Sequence, residues 1–114
     1  MKVQEMMDLV GGKLVCGESV HNQDIYYGFA SDLMSDVLTL HASQHLLITG
    51  LANLQTVRTA EMADIGVVLL VRGKKASPEM CELANDLGIT IIETSFSMFR
   101  TSGLLFTHGL QPVY

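Results

Sequence analysis

The stretch Ile65-Gly-Val-Val-Leu-Leu-Val71 carries no charge and no hydrogen-bonding side chain. A strand with one wet face alternates apolar and polar residues, so a run that is apolar at both parities has to be covered on both faces. That environment is the middle of a parallel sheet lying beneath helices on either side. The run is also far shorter than the ~20 residues needed to span a bilayer, so it predicts a central strand and no membrane segment.

The segments around it repeat a strand-then-helix order. Val3, Met6, Met7 and Val10 lie three to four apart and predict a short amphipathic helix that stops at Gly11-Gly12. Leu14 to Cys16 and Ile25 to Ala30 read as strands, the second rich in β-branched and aromatic residues. Ser31 is a suitable N-cap for a helix from about Asp32, with Leu33, Met34, Val37, Leu38, Leu40 and His41 on its inner face. His45 to Thr49 is the next strand, and Asn53 can cap a helix that runs to Met62.

After the central strand, Ser77-Pro78-Glu79 combines an N-cap, a proline at the first helical position and an acid near the positive end of the dipole. Met80, Leu83, Ala84 and Leu87 form that helix's buried stripe, and Gly88 ends it. Ile89 to Ile92 predicts a further strand, and Thr94 or Ser95 caps a last helix with the stripe Phe96, Phe99, Gly103 and Phe106. The expected fold class is α/β: a three-layer α/β/α arrangement with a mostly parallel sheet of about five strands, forming one domain over residues 1–114.

Composition narrows the function classes. A chain of 114 residues, 48% of them apolar, has room for one hydrophobic core. Twelve carboxylates against seven Lys and Arg give a net charge of -5, the wrong sign for a nucleic-acid partner. The densest basic cluster, Arg72-Gly-Lys-Lys75, reads as a solvated turn or an anion site. Cys16 and Cys81 lie far apart in no CxxC pair, and the N-terminus lacks a signal-peptide core, which together predict two thiols in a reducing cytoplasm.

The common catalytic signatures are missing. A phosphate-binding P-loop needs GxxxxGK followed by Ser or Thr. Gly12-Lys13 has Met7 and Leu14 in place of the first glycine and the hydroxyl, while Gly73-Lys74 has Val68 and Lys75. No GxGxxG, GxSxG or HExxH occurs. His41 and His45 are four apart but lack a third ligand, so no metal is expected. Asp32 and Asp36, also four apart, read as a dipole-complementing acid and a solvent-facing one, or as a pair sharing a proton or cation. No catalytic residue and no cofactor is predicted.

Polar residues collect instead at four strand-to-helix junctions: Ser31-Asp32, Thr49-Gly50 with Asn53, Arg72-Gly73-Lys74, and Thr94-Ser95. In parallel α/β sheets, ligands bind outside the carboxyl ends of the strands, where loops meet helix N-termini. Capping accounts for many of these side chains. Taken together, Ser31, Asp32, Thr49, Asn53, Arg72, Thr94 and Ser95 are the expected ligand-binding set.

The line from Gly28-Phe-Ala-Ser-Asp-Leu-Met-Ser-Asp-Val through Leu47-Ile-Thr-Gly50 and Asn53 resembles the DRTGG domain, whose pattern holds a GDLLSDV-like strand-to-helix turn. The likeness continues through Ala63 to Lys74, Pro78 to Ala84, Gly88-Ile89 and the helix from Phe99 to Leu105. Ser31 stands where the family turn carries glycine, and the contiguous letters DRTGG do not occur. Domains of this family accompany phosphotransacetylases and CBS-containing pyrophosphatases as accessory, often dimer-forming parts. Their fold is similar to the N-terminal domain of HPr kinase/phosphorylase, whose P-loop domain has no counterpart here.

The resemblance and the missing catalytic parts imply a stand-alone regulatory or protein-interaction module, homodimeric and without catalytic activity. The alternative is a sensor for a small anionic ligand or nucleotide at the strand ends. An enzyme using Asp32 or Asp36 with a histidine is the third reading.

Overall fold

The structure is a computed structural model that describes residues 1–18 and 20–114. In chain order the elements are α1 (Val3–Val10), β1 (Lys13–Cys16), β2 (Tyr27–Ala30), α2 (Met34–Val37), β3 (His45–Thr49) and α3 (Leu54–Met62). They are followed by β4 (Val67–Leu70), α4 (Pro78–Leu87), β5 (Thr90–Glu93), α5 (Met98–Thr107) and β6 (Gln111–Pro112). The strands form one six-stranded sheet in the order β1-β5-β4-β3-β2-β6. Only β1 runs antiparallel to its neighbour. The mostly parallel α/β expectation is met, with one strand more than expected: β6, two residues paired with Tyr27 and Gly28.

The doubly apolar run behaves as its sequence requires. β4 lies between β3 and β5, and Val67 to Val71 are all buried. Alternate residues serve opposite layers. Leu47, Val68, Leu70 and Ile91 pack with Val37, Val57, Ala60, Met80 and Ala84 of α2, α3 and α4. Leu46, Ile48, Val67, Leu69 and Ile92 pack with Met6, Val10 and Leu105 of α1 and α5. A β-strand points successive side chains to opposite faces, so one uninterrupted apolar run supplies both cores.

Local chemistry sets most helix ends. Asn53 Oδ1 accepts from the Thr56 backbone N–H at 3.1 Å, and Ser77 Oγ accepts from Met80 N–H at 3.1 Å, with Pro78 at the first position of α4. Gly11 and Gly88 close α1 and α4 in the left-handed conformation, at φ 61° and 72°. Both α3 and α4 keep the expected boundaries.

Four expectations are corrected. The helix expected from Asp32 to His41 is a single turn, α2, whose N-cap position is Leu33. Ser31 therefore does not cap it; its hydroxyl oxygen accepts from Leu33 N–H at 3.0 Å. Ser31 also lies outside the left-handed region, since the non-glycine residues with positive φ are Gln44, Asp64 and Arg72. The glycine of the family turn is thus not required at this position. The last helix is capped by Ser97, which accepts from Arg100 N–H at 3.1 Å, and not by Thr94 or Ser95. Its Phe99 and Phe106 face solvent, while Thr101 and Leu105 are its buried residues.

Cys16 and Cys81 are also not separate thiols. They form a disulfide across 65 residues, with Cα atoms 5.0 Å apart, joining edge strand β1 to α4. Sequence separation hid the pair, because β1 and α4 meet only when the chain inserts β5 between β4 and β1.

Candidate functional site at the strand carboxyl ends

Parallel pairing of β2, β3, β4 and β5 brings their carboxyl ends to one edge of the molecule. Ser31-Asp32 follows β2, Thr49-Gly50 ends and follows β3, Arg72 follows β4, and Thr94-Ser95 follows β5. The fold joins the first three junctions into one hydrogen-bonded cluster.

Asp32 is its centre. One carboxylate oxygen, Oδ1, accepts from the Gly50 backbone N–H at 2.7 Å and from the Thr49 hydroxyl at 3.0 Å. The other, Oδ2, accepts from Arg72 Nη1 at 3.1 Å. The Gly50 amide above all, with help from the Thr49 hydroxyl and Arg72, holds the Asp32 carboxyl below the usual carboxylate range, although partial burial pushes it upward. Thr49, fully buried, also accepts from Leu51 N–H at 3.2 Å, so its hydroxyl is used up in shaping the turn.

Arg72 is placed by backbone conformation. It has φ 62°, a region that costs a non-glycine residue free energy of order 1 kcal/mol. Two bonds to the β5–α5 connection hold it there: Arg72 N–H donates to the Phe96 carbonyl at 2.8 Å, and Gly73 N–H to the Thr94 carbonyl at 3.1 Å. The side chain then lies across Gly50. A methyl group built on Gly50 would overlap the guanidinium carbon and Nη2, so this placement of the Arg72 side chain depends on glycine at position 50. Nη1 is spent on Asp32, and about half of the Arg72 side chain is open to solvent.

The remaining candidates divide. Asn53 sits in the exposed turn after Gly50, with its carbonyl oxygen committed to the α3 N-terminus. Thr94 is structural: it is buried, its hydroxyl donates to the Val10 carbonyl at 2.6 Å, and it accepts from Phe96 N–H at 3.1 Å. It therefore fixes the segment that fixes Arg72. Ser95, beside it, is exposed.

Glu93 was not anticipated. Its nearly buried carboxylate accepts from Ala76 N–H at 2.8 Å and meets Lys75 Nζ at 3.4 Å, which ties down the loop between Arg72 and α4. An acid ending an apolar run was the available signal. Lys74 is exposed in the same loop.

The pairs Asp32–Asp36 and His41–His45 do not assemble into an acid–base or metal-binding site. Asp36 is exposed on α2, whereas Asp32 precedes that helix, so the two do not share a helix face. His41 is exposed and His45 is buried at the start of β3. Neither ring nitrogen of His45 has a hydrogen-bond partner of normal geometry. Burial pushes this imidazole below its usual pKa, and the nearby Ala42 carbonyl and Asp64 only partly oppose that. Among the described residues, no three His, Cys, Asp or Glu side chains gather in a metal-binding group. No described helix is long and apolar enough to cross a membrane.

Neither a protein-family model nor a curated protein matches the chain. Among solved structures it is similar to the CBS and DRTGG domains of the regulatory region of Clostridium perfringens pyrophosphatase, complexed with the activator diadenosine tetraphosphate. The TM-score is 0.70 at 16% identity, covering 98% of this chain and 48% of that one. The chain thus spans about half the length of that neighbour and shares its fold. The DRTGG resemblance read from the sequence accordingly agrees with the fold.

Proposed function

We propose that this chain is a one-domain regulatory module of the DRTGG type, homodimeric, which acts by binding and not by catalysis. Its fold is shared with about half of a pyrophosphatase regulatory region. At the strand ends, where α/β enzymes keep their reacting groups, Asp32 has both carboxylate oxygens engaged by Gly50, Thr49 and Arg72. A carboxylate so occupied, with its pKa lowered, is a poor proton acceptor. Turnover of a phosphate ester or pyrophosphate by the purified chain, lost in Asp32→Asn, would overturn the non-catalytic reading.

A second reading adds a ligand to the same module, and Arg72 carries it. Strained backbone is retained where a function or a neighbour demands it. Here the strain sets a guanidinium at the sheet edge with one nitrogen engaged and other donors free for an anion. Ser31, Asn53 and Ser95 are the exposed or half-exposed polar neighbours on adjoining turns. The ligand class is a small anion or nucleotide, and a dinucleoside polyphosphate is the first compound to try.

Thermal shift with nucleotides, a dinucleoside tetraphosphate and inorganic phosphate tests this. A ligand at 100 times its dissociation constant stabilises by ~2.7 kcal/mol, roughly 10 °C for a chain this size. The shift should vanish in Arg72→Ala. No shift at millimolar concentration of any of these compounds removes the ligand reading and leaves the interaction module standing.

A further inference from the structure

Helix α5 repeats an apolar stripe, Phe99, Gly103 and Phe106, at the spacing of a buried helix face, yet the fold turns that stripe outward. Phe99 is 91% and Phe106 65% exposed. Between α5 and the β2–β6 edge lies an open groove of about 350 Å³, lined by Gly28, Ala30, Leu110 and Pro112 as well as the two phenylalanines. A Cβ built on Gly103 would meet nothing within 4 Å beyond its own helix backbone, so the helix has a notch between two aromatic knobs. The adjoining Ser102 hydroxyl is buried without a partner at the same groove.

We infer that this face receives a second copy of the chain: two α5 helices cross at Gly103, and each helix's phenylalanines enter the other's notch and groove. This names the surface for the dimer proposed above and rests on that reading. A two-fold contact pairs a patch with itself, so it needs a surface holding both knob and socket, which Phe99-Gly103-Phe106 does. Electrostatics selects the same face. Neither α5 nor the lining of the groove holds an Asp or Glu, so two copies can meet here without acids directly opposed. The one arginine of α5, Arg100, is held 3.6 Å over the Phe96 ring.

Area sets the expected strength. At ~200 Å² per phenylalanine, the exposed parts of the two rings come to roughly 300 Å² per copy and ~600 Å² across a two-fold contact. Stable interfaces start at about 1,200 Å², so the groove walls have to supply the other half. The contact is therefore expected to be modest, with dissociation in the micromolar range.

Sedimentation of the whole chain from about 1 µM to 1 mM tests this. The wild type should pass from monomer to dimer. F99S/F106S should stay monomeric with an unchanged circular dichroism spectrum and melting temperature, because both rings are exposed. Gly103→Leu, which fills the notch, should weaken association at least tenfold. A wild type monomeric at 1 mM overturns both the dimer and its surface. A dimer that persists undiminished in F99S/F106S overturns the surface alone.

Discussion

Replacing Gly50 by alanine isolates the interaction on which the candidate site depends. Gly50 lies outside the left-handed region, so its backbone conformation sets no glycine requirement, and the three atoms nearest the added methyl all belong to the Arg72 guanidinium group. The guanidinium is the free end of a flexible side chain and can swing away, giving up its 3.1 Å pair with Asp32. A pair this exposed is worth about 0.2–1 kcal/mol. Gly→Ala meanwhile stabilises by about 0.4–1 kcal/mol, because the unfolded chain loses freedom. In the presence of Arg72 the two effects oppose each other, so Gly50→Ala should change stability by less than ~0.8 kcal/mol. In an Arg72→Ala background the collision is gone, and the same substitution should stabilise by the full ~0.4–1 kcal/mol. Urea unfolding of the four proteins, read from midpoints at constant m, gives the coupling directly. An identical effect of Gly50→Ala in both backgrounds would refute the placement of Arg72 over Gly50. Gly50→Ala should also abolish any anion-induced thermal shift, although the fold is intact.

Three further outcomes follow from the same geometry. Reducing the Cys16–Cys81 disulfide, or replacing both residues by serine, reopens a 65-residue loop and should cost up to ~4 kcal/mol in urea unfolding. An unchanged midpoint after reduction would show that the pair contributes nothing. For Asp32 the folded pKa lies below the unfolded value near 3.8, so its contribution is present above that pH and is lost as pH falls through the folded pKa. The stability gap between wild type and Asp32→Asn should therefore be constant from pH 5 to 7 and close below about pH 4. For His45 burial lowers the folded pKa below 6.5, so stability is full above that pH and declines as pH falls towards the folded value. His45→Leu should flatten the stability profile between pH 7 and 5, measured by urea midpoints. An unaltered slope would mean that another group titrates there.

The chain's own letters determine most of the scaffold. The run Ile65 to Val71 dictates a strand covered on both faces, and His45–Thr49, Asn53–Met62 and Ser77–Gly88 carry their limits in strand pattern, caps and a proline. These signals are local, so spacing alone reveals them. The strand-end junctions were legible for the same reason: in a parallel sheet, every residue after a strand arrives at one edge.

Tertiary structure decided what depends on distant segments meeting. Thr94 reads as a cap because it follows a strand, but its hydroxyl accepts from Phe96 N–H and donates to the carbonyl of Val10, 84 residues away, while Ser97 caps α5. The α5 stripe reads as core because spacing records a helix's apolar face without saying whether this chain or another covers it. Cys16 and Cys81 read as unrelated until β5 brings β1 to α4. Asp32, Gly50 and Arg72 become one cluster only because β2, β3 and β4 pair in register, and because the bonds of Arg72 and Gly73 to the β5–α5 connection hold Arg72 in a conformation its own side chain disfavours.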